Sequence, residues 1–485
     1  MVFDGDDGVS SIESGMLSPS KGRRHIYRQL DDDYERTVTV LGEGVTGEVV
    51  KARRKSHTLV DASLPSYAVK TIQLVGAEAI KLERTRREVD VLMCIDHPHI
   101  ARIDDVYETG EATHLVMECC EGGDVCDRFN EFGRFSEGDA ASTIRQMLLA
   151  IQYLHYQGIA HRDIKMDHFM YISKESSILK LIDFGLCQRW TSDMPSMTDP
   201  VGTLGWVAPE VLGKNYTNKC DMWSLGCIAF NLLLGFRPFL NEVTKDNFQA
   251  IRKGAYREKD GMWDLISEEA SDFILKLLEV DPDKRPTAQQ ALKHPWMMRW
   301  QSKLTLVSPE NIIAPLLRFS RESCMTKFCY RALARTVPRG KDAELRDTFI
   351  SMDREKKGTL SLDDILHYAI TSDAKQPELD ISMCLKALKT DSRHEMHYSE
   401  FVAAMLSPQF SADDPLYKDA LMRYCRTLVG EDVPMLMSLS STTTSSSQKG
   451  STLGTTAPLK NKEAQHWKKM KKMLECWSHK RRRSP

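Results

Sequence analysis

Apolar and polar positions follow several distinct rhythms along the chain, and each rhythm predicts an element. Val38, Val40 and Leu41 lead into Gly42, Gly44 and Gly47, and Val49 and Val50 follow, which predicts a strand, a tight loop and a returning strand. Residues 84–95 read as a helix, and Ile144, Met147, Leu148, Ile151 and Leu154 recur at the spacing of a helix that buries one face. Further on, Ile312, Ile313, Leu316, Leu317 and Phe319 fall among Arg318, Arg321 and Lys327, predicting a basic amphipathic helix. Residues 345–353 read as one more helix. Two stretches lack any rhythm. Residues 1–33, rich in Gly, Ser and Asp, read as a disordered or regulatory lead-in, and residues 438–456, almost wholly Ser, Thr and Gly, cannot bury enough apolar surface to fold. Near the end, Trp467, Met470, Leu474 and Trp477 share one helical face among Lys468, Lys469, Lys471 and Lys472.

Composition narrows the class. At 485 residues the chain is too long for one ordinary domain, so several compact units and linkers are expected. It contains no run of eighteen apolar residues, and its first residues lack a basic start followed by an apolar stretch, so neither a membrane span nor a secretory signal is expected. Val2 excludes N-myristoylation, which needs glycine there. Twelve cysteines occur without a C-x-x-C pair, which argues against a zinc site or disulfide framework and for a reducing, cytoplasmic environment. The net charge of −2 hides a basic end: from Lys460 there are ten Lys or Arg and two Glu. Residues 466–483 suit calmodulin or an anionic membrane surface, while the run Lys480, Arg481, Arg482 and Arg483 would suit a nuclear address. Nothing points to sequence-specific nucleic-acid binding.

The candidate chemistry lies in short runs. Glycines let backbone approach phosphates closely, and the run Leu41, Gly42, Glu43, Gly44, Val45, Thr46, Gly47, Glu48, Val49 has the form G-x-G-x-x-G-x-V, followed by a strand. Tyr67-Ala68-Val69-Lys70 supplies a strand lysine, and Glu88 stands in the following helix. Further runs are Met117-Glu118-Cys119-Cys120, His161-Arg162-Asp163-Ile164-Lys165-Met166-Asp167-His168, Asp183-Phe184-Gly185 and Ala208-Pro209-Glu210. In this order and spacing they resemble a protein kinase over residues 34–297, and Gly202-Thr203 with Lys165 is the serine/threonine form. The resemblance implies a two-lobed α+β fold using ATP and Mg²⁺. It makes Asp163 the carboxylate that orients the substrate hydroxyl and Lys165 the balance to the transferring phosphoryl group. Lys70, paired with Glu88, would hold the α- and β-phosphates. Met117 would lie behind the adenine, with backbone groups of Glu118 and Cys120 on its edge. Asp183 would hold Mg²⁺, and the second metal ligand, Asn in the family, is here His168. Arg162 would receive a phosphate on Thr191, Ser192, Ser196 or Thr198. Asp124 and Asp167 imply protein substrates with Arg upstream of the target Ser or Thr. The alternative is a pseudokinase or scaffold that binds nucleotide or partners without efficient transfer.

Beyond the catalytic segment, 298–337 is the junction segment, expected either as an inhibitory helix across the substrate groove or as a linker helix packed on the large lobe. Residues 353–364 fill a twelve-residue EF-hand loop with Asp353 first, Gly358 sixth and Asp364 last, and a second loop ends at Glu400. This order resembles the calcium-dependent protein kinases, and the resemblance implies an all-α EF-hand pair over 338–407. Lys357, Lys389 and Arg393 stand where oxygen donors belong and His394 replaces the turning glycine, so Ca²⁺ binding at Asp353 or Glu400 is expected to be weak or lost. A helical remnant is expected within 408–437, ahead of the Ser/Thr-rich linker and basic tail at 438–485. A protein-binding module with the kinase as passenger is a second alternative.

Overall fold

The computed structural model of the chain describes residues 24–25, 28–44, 47–55, 65–239, 244–300, 306–335, 343–371 and 395–409. Val45, Thr46, most of the second calcium loop, the segment after 409 and the basic tail lie outside the described residues. Six strands form the small lobe: β1 (Arg24–His25), β2 (Tyr34–Gly44), β3 (Gly47–Arg54), β4 (Ser66–Gln73), β5 (Ile103–Glu108) and β6 (Ala112–Glu118), in the order β1-β5-β6-β4-β3-β2. All pairs are antiparallel except β1 with β5. Val49 pairs with Lys70 and Lys70 with Leu115, so the lysine sits mid-sheet. Helix α1 (Ala79–Cys94) buries Glu88, Val89, Val91, Leu92 and Met93. It begins earlier than periodicity suggests, because its first turn faces water, with Ile80 62 % exposed.

The large lobe is helical, with α2 (Val125–Phe132), α3 (Glu137–Tyr156), α4 (Lys219–Leu234) and α5 (Glu268–Leu277). Ser136 caps α3 by accepting a hydrogen bond from the Asp139 amide, and the apolar face from Ile144 to Leu154 is fully buried. Every residue of α4 after Lys219 is buried, as expected of a helix apolar all round. Two short strands, β7 (Phe169–Tyr171) and β8 (Leu179–Leu181), pair beneath the cleft. Arg285 bonds Glu210 at 2.6 and 3.1 Å and ties the end of this lobe to its centre.

Five more helices follow: α6 (Glu310–Ser320), α7 (Cys324–Ala334), α8 (Ala343–Met352), α9 (Leu362–Thr371) and α10 (Tyr398–Leu406). Leu360 and Met396 form an antiparallel bridge, and Phe349 packs on Tyr398 and Phe401. Ile312, Ile313, Leu316, Leu317 and Phe319 are buried, and both α6 and α7 pack on α10. Arg335 lies 3.7 Å from Asp104 and, with Glu118, lines a pocket behind the interlobe strand. The apolar face expected to lie across the substrate groove is therefore taken up by α10. Among the described residues, no helix is long and apolar enough to cross a membrane.

Candidate active site

The glycine-rich turn closes tightly: Gly42, Glu43 and Gly44 on β2 face Val49, Glu48 and Gly47 on β3. Gly47 has φ +146°, and a Cβ there would collide with the Thr71 carbonyl oxygen, so this position admits only glycine. Gly42 instead faces open space, with nothing within 4 Å of a built Cβ. Leu41 and Val49 are part-buried at the mouth of the turn, and Met117 is buried at the end of β6. The Glu118 amide donates to the Arg102 carbonyl and its carboxylate lies 3.2 Å from Lys180, while Cys120 is buried.

Beneath the turn, Lys70 Nζ bonds Glu88 Oε1 at 2.7 Å and Asp183 Oδ1 at 3.1 Å. Burial favours a neutral lysine, but the two carboxylates outweigh it and hold the ammonium charged, with its pKa raised. Burial likewise opposes ionisation of Asp183, yet Lys70 drives that pKa well below the ordinary carboxylate range. Phe184 is buried and packs edge-on against His161 at 5.4 Å. The metal loop is thus turned inward, with its carboxylate facing Lys70.

The catalytic loop is pinned from below. Asp221, buried in α4, accepts the amides of His161 at 2.9 Å and Arg162 at 2.8 Å, and lies 2.8 Å from His155 Nε2. These bonds hold Arg162 at φ +71°, a strained setting for a side chain with a Cβ. Above it, Thr203 donates to Asp163 Oδ1 at 2.7 Å, and Lys165 Nζ lies 3.4 Å from Thr203 Oγ1 and 3.5 Å from Asp163 Oδ2. His168 Nδ1 lies 2.9 Å from the Asp163 carbonyl oxygen, and its Nε2 lies 3.4 Å from Asp183 Oδ2. Burial pushes the His168 pKa down to about 4, so the ring is neutral near pH 7. Asp183 and His168 thus present an oxygen and a nitrogen donor 3.4 Å apart. Asp124, Cys126 and Asp167 form the one cluster of three such donors among the described residues, and burial raises the Asp124 pKa.

The arrangement joins a glycine-rich strand pair, a buried ammonium, a metal-competent carboxylate and a carboxylate with a neighbouring lysine. Residues 35–297 match the family description "Protein kinase domain". The chain is 37 % identical to CDPK-related kinase 5 of Arabidopsis thaliana over 76 % of this chain and 61 % of that protein. It is 34 % identical to calcium-dependent protein kinase 7 of Arabidopsis thaliana, over 72 % of this chain and 65 % of the relative. It is 30 % identical to calcium-dependent protein kinase 3 of Plasmodium berghei (strain Anka) over 80 % of this chain and 69 % of that protein. The chain belongs to the calcium-dependent protein kinase family. It spans less than two thirds of the length of the two Arabidopsis relatives.

Other contacts of the chain are not visible in any one motif. Arg162 Nε donates to the Leu186 carbonyl at 2.7 Å and NH1 to the Tyr216 hydroxyl at 3.1 Å, with Asp199 3.6 Å away. A carboxylate of the segment between Asp183-Phe184-Gly185 and Ala208-Pro209-Glu210 thus already faces the arginine expected to receive a phosphate. In the loop 353–364 the oxygens are spent locally. Asp353 accepts the amides of Lys357 at 2.9 Å and Gly358 at 2.6 Å, and burial raises its pKa to about 6. Asp364 accepts the Ser361 amide and hydroxyl at the start of α9. Glu355 ion-pairs Lys357, joining two positions that would have to point at an ion. Glu400 ion-pairs Arg331 of α7 at 3.1 Å. The same region grips both lobes: Ser399 donates to Asp96 behind α1 through its amide and hydroxyl, Tyr156 of α3 donates to Glu395 at 2.8 Å, and Gly358, at φ +76°, lies against His97 and Tyr153. Gly358, Glu395 and Ser399 lie in loops the sequence marks, whereas Asp96, His97, Tyr153 and Tyr156 do not.

Proposed function

We propose that the protein is a serine/threonine protein kinase that transfers the γ-phosphoryl group of ATP to a protein hydroxyl. The observation that carries this reading is Lys70, bonded to Glu88 and Asp183 at once, while Asp163 and Lys165 face the same cleft. A substrate hydroxyl at Asp163 gives its proton to that carboxylate as its oxygen bonds to the γ-phosphorus. The bond from the γ-phosphorus to the bridging oxygen breaks, and ADP leaves. Lys165 offsets charge on the transferring group, Lys70 holds the α- and β-phosphates, and the backbone of the 42–47 turn covers them. Adenine would lie between Leu41, Val49 and Met117, with its edge on the backbone of Glu118 and Cys120. Asp183 and His168 would hold the metal, which when bound neutralises phosphate charge. Asp124 and Asp167 are the proposed acceptors for a substrate arginine upstream of the target residue.

The helices from α8 to α10 are proposed to be an EF-hand pair that no longer needs calcium. The donor set fits the ion poorly: its carboxylates are committed to backbone amides, Lys357 and Arg331. Calcium control would then pass to the basic tail at 466–483, as a calmodulin or anionic-membrane site, in a cytoplasmic or nuclear protein. The test is phosphate transfer from Mg-ATP to an Arg-x-x-Ser peptide in a calcium chelator, against Asp163→Asn. Transfer above the control is expected. Its absence with and without calcium and calmodulin would sink the kinase reading.

A further inference from the structure

Five residues after Asp163, where the family carries asparagine, this chain carries His168, and the surroundings of its ring define what it can bind. Nδ1 lies 2.9 Å from the Asp163 carbonyl oxygen. A carbonyl only accepts, so Nδ1 carries the hydrogen and Nε2 is the ring nitrogen left to take a cation. That nitrogen sits 3.4 Å from Asp183 Oδ2 and 3.8 Å from Asp163 Oδ2. The lone pair of His168 and the carboxylate oxygen of Asp183 therefore face each other across 3.4 Å, and His168 is buried. Of the two lysines nearby, Lys70 bonds the other oxygen of Asp183, and Lys165 stands 3.5 Å from Asp163 Oδ2, too far for a strong bond. Converging acceptors repel one another until a cation enters among them. A histidine whose far nitrogen donates to a backbone carbonyl is also the usual form of a metal-ligating histidine, because that bond fixes both tautomer and ring orientation.

We propose that His168 makes the nucleotide-linked metal site selective for a first-row transition dication, Mn²⁺ or Co²⁺, over Mg²⁺. Mg²⁺ is a hard ion that prefers an octahedron of oxygens. Imidazole nitrogen is a softer donor, favours transition dications, and binds them more tightly from Mn²⁺ to Co²⁺. Donors 3.4 Å apart can both be reached by one ion with bonds of about 2.1 Å to each. An asparagine at the same position offers an amide oxygen, which restores the magnesium preference. The inference rests on the kinase reading in one respect, that nucleotide phosphates lie beside Asp183.

The test uses the full chain, ADP and Mn²⁺. Electron spin-echo modulation of bound Mn²⁺ should show coupling to a histidine nitrogen that shifts on labelling histidine with the heavy nitrogen isotope and vanishes in His168→Asn. In competition, the Mg²⁺ concentration that displaces half the Mn²⁺ should fall at least about tenfold in His168→Asn. Mn²⁺ bound with ADP but without nitrogen coupling, or an unchanged displacement ratio, would overturn the inference alone. Absence of any ADP-dependent Mn²⁺ binding would overturn the nucleotide-site reading and the inference together.

Discussion

Replacing Arg331 by Met tests whether an internal cation has taken over the ion's role at Glu400. Arg331 NH1 lies 3.1 Å from Glu400 Oε1, with side chains 14 % and 5 % exposed. Removing one member of a buried pair costs about 3–5 kcal/mol, because the other charge is left without compensation. Arg331 retains some exposure and Glu400 also accepts the His397 amide at 3.4 Å, so the lower end, about 3 kcal/mol, applies. At about 1.4 kcal/mol per decade this is a change of roughly 150-fold in the local opening equilibrium. Hydrogen exchange followed by mass spectrometry should show the amides of α7 and α10 exchanging about 100-fold faster, with α3 and α4 unchanged. Arg331→Met combined with Glu400→Met should recover most of the protection, since an apolar pair of similar volume replaces a buried ion pair at little cost. Exchange within about threefold of the parent, or a double variant no better than the single one, would refute the reasoning.

Gly47→Ala should raise the KM for ATP and lower stability by about 1–3 kcal/mol, read by thermal unfolding, because its Cβ meets the Thr71 carbonyl; Gly42→Ala, facing open space, should leave stability unchanged. Gly358→Val should increase proteolysis of the 343–409 segment, since a side chain there collides with His97 and Tyr153, while cleavage within α3 and α4 stays at the parental rate. His99, buried with Nδ1 3.1 Å from the Leu179 carbonyl, has its pKa lowered by burial to about 3. A histidine depressed in the folded state stabilises fully above its unfolded value, about 6.5, and that contribution is lost as pH falls from there towards 3. His99→Asn keeps a donor without the titration, so its unfolding free energy should fall less steeply over that window; parallel curves would refute the assignment.

The catalytic half was legible because each of its groups sits in its own short run, even where the folded partners are far apart in sequence. Lys70 and Asp183 are 113 positions apart, yet each was marked by its immediate neighbours. Helix α1 extends further than its periodicity predicts because its first turn buries nothing and leaves no periodic trace. Arg331 could not be read at all. On an amphipathic helix it is one basic residue among several, and nothing nearby says that it meets Glu400 across a helix packing. Asp96 is similar: an acid between Ile95 and His97 looks like an ordinary loop residue until Ser399 is placed against it. Polar groups that find partners through tertiary packing carry no local signal, whereas phosphate-binding backbone turns and catalytic loops do.

The bond from Ser399 to Asp96 spans 303 residues, which sets a clock on biosynthesis. At about 5–20 residues per second, Asp96 leaves the ribosome roughly 15–60 s before its partner is made. During that interval the catalytic lobes can close around their own core while the acid behind α1 stays hydrated or engaged by a chaperone. Every newly made molecule therefore passes through a stage in which the segment up to residue 297 is complete in sequence and the contact at Asp96 is missing.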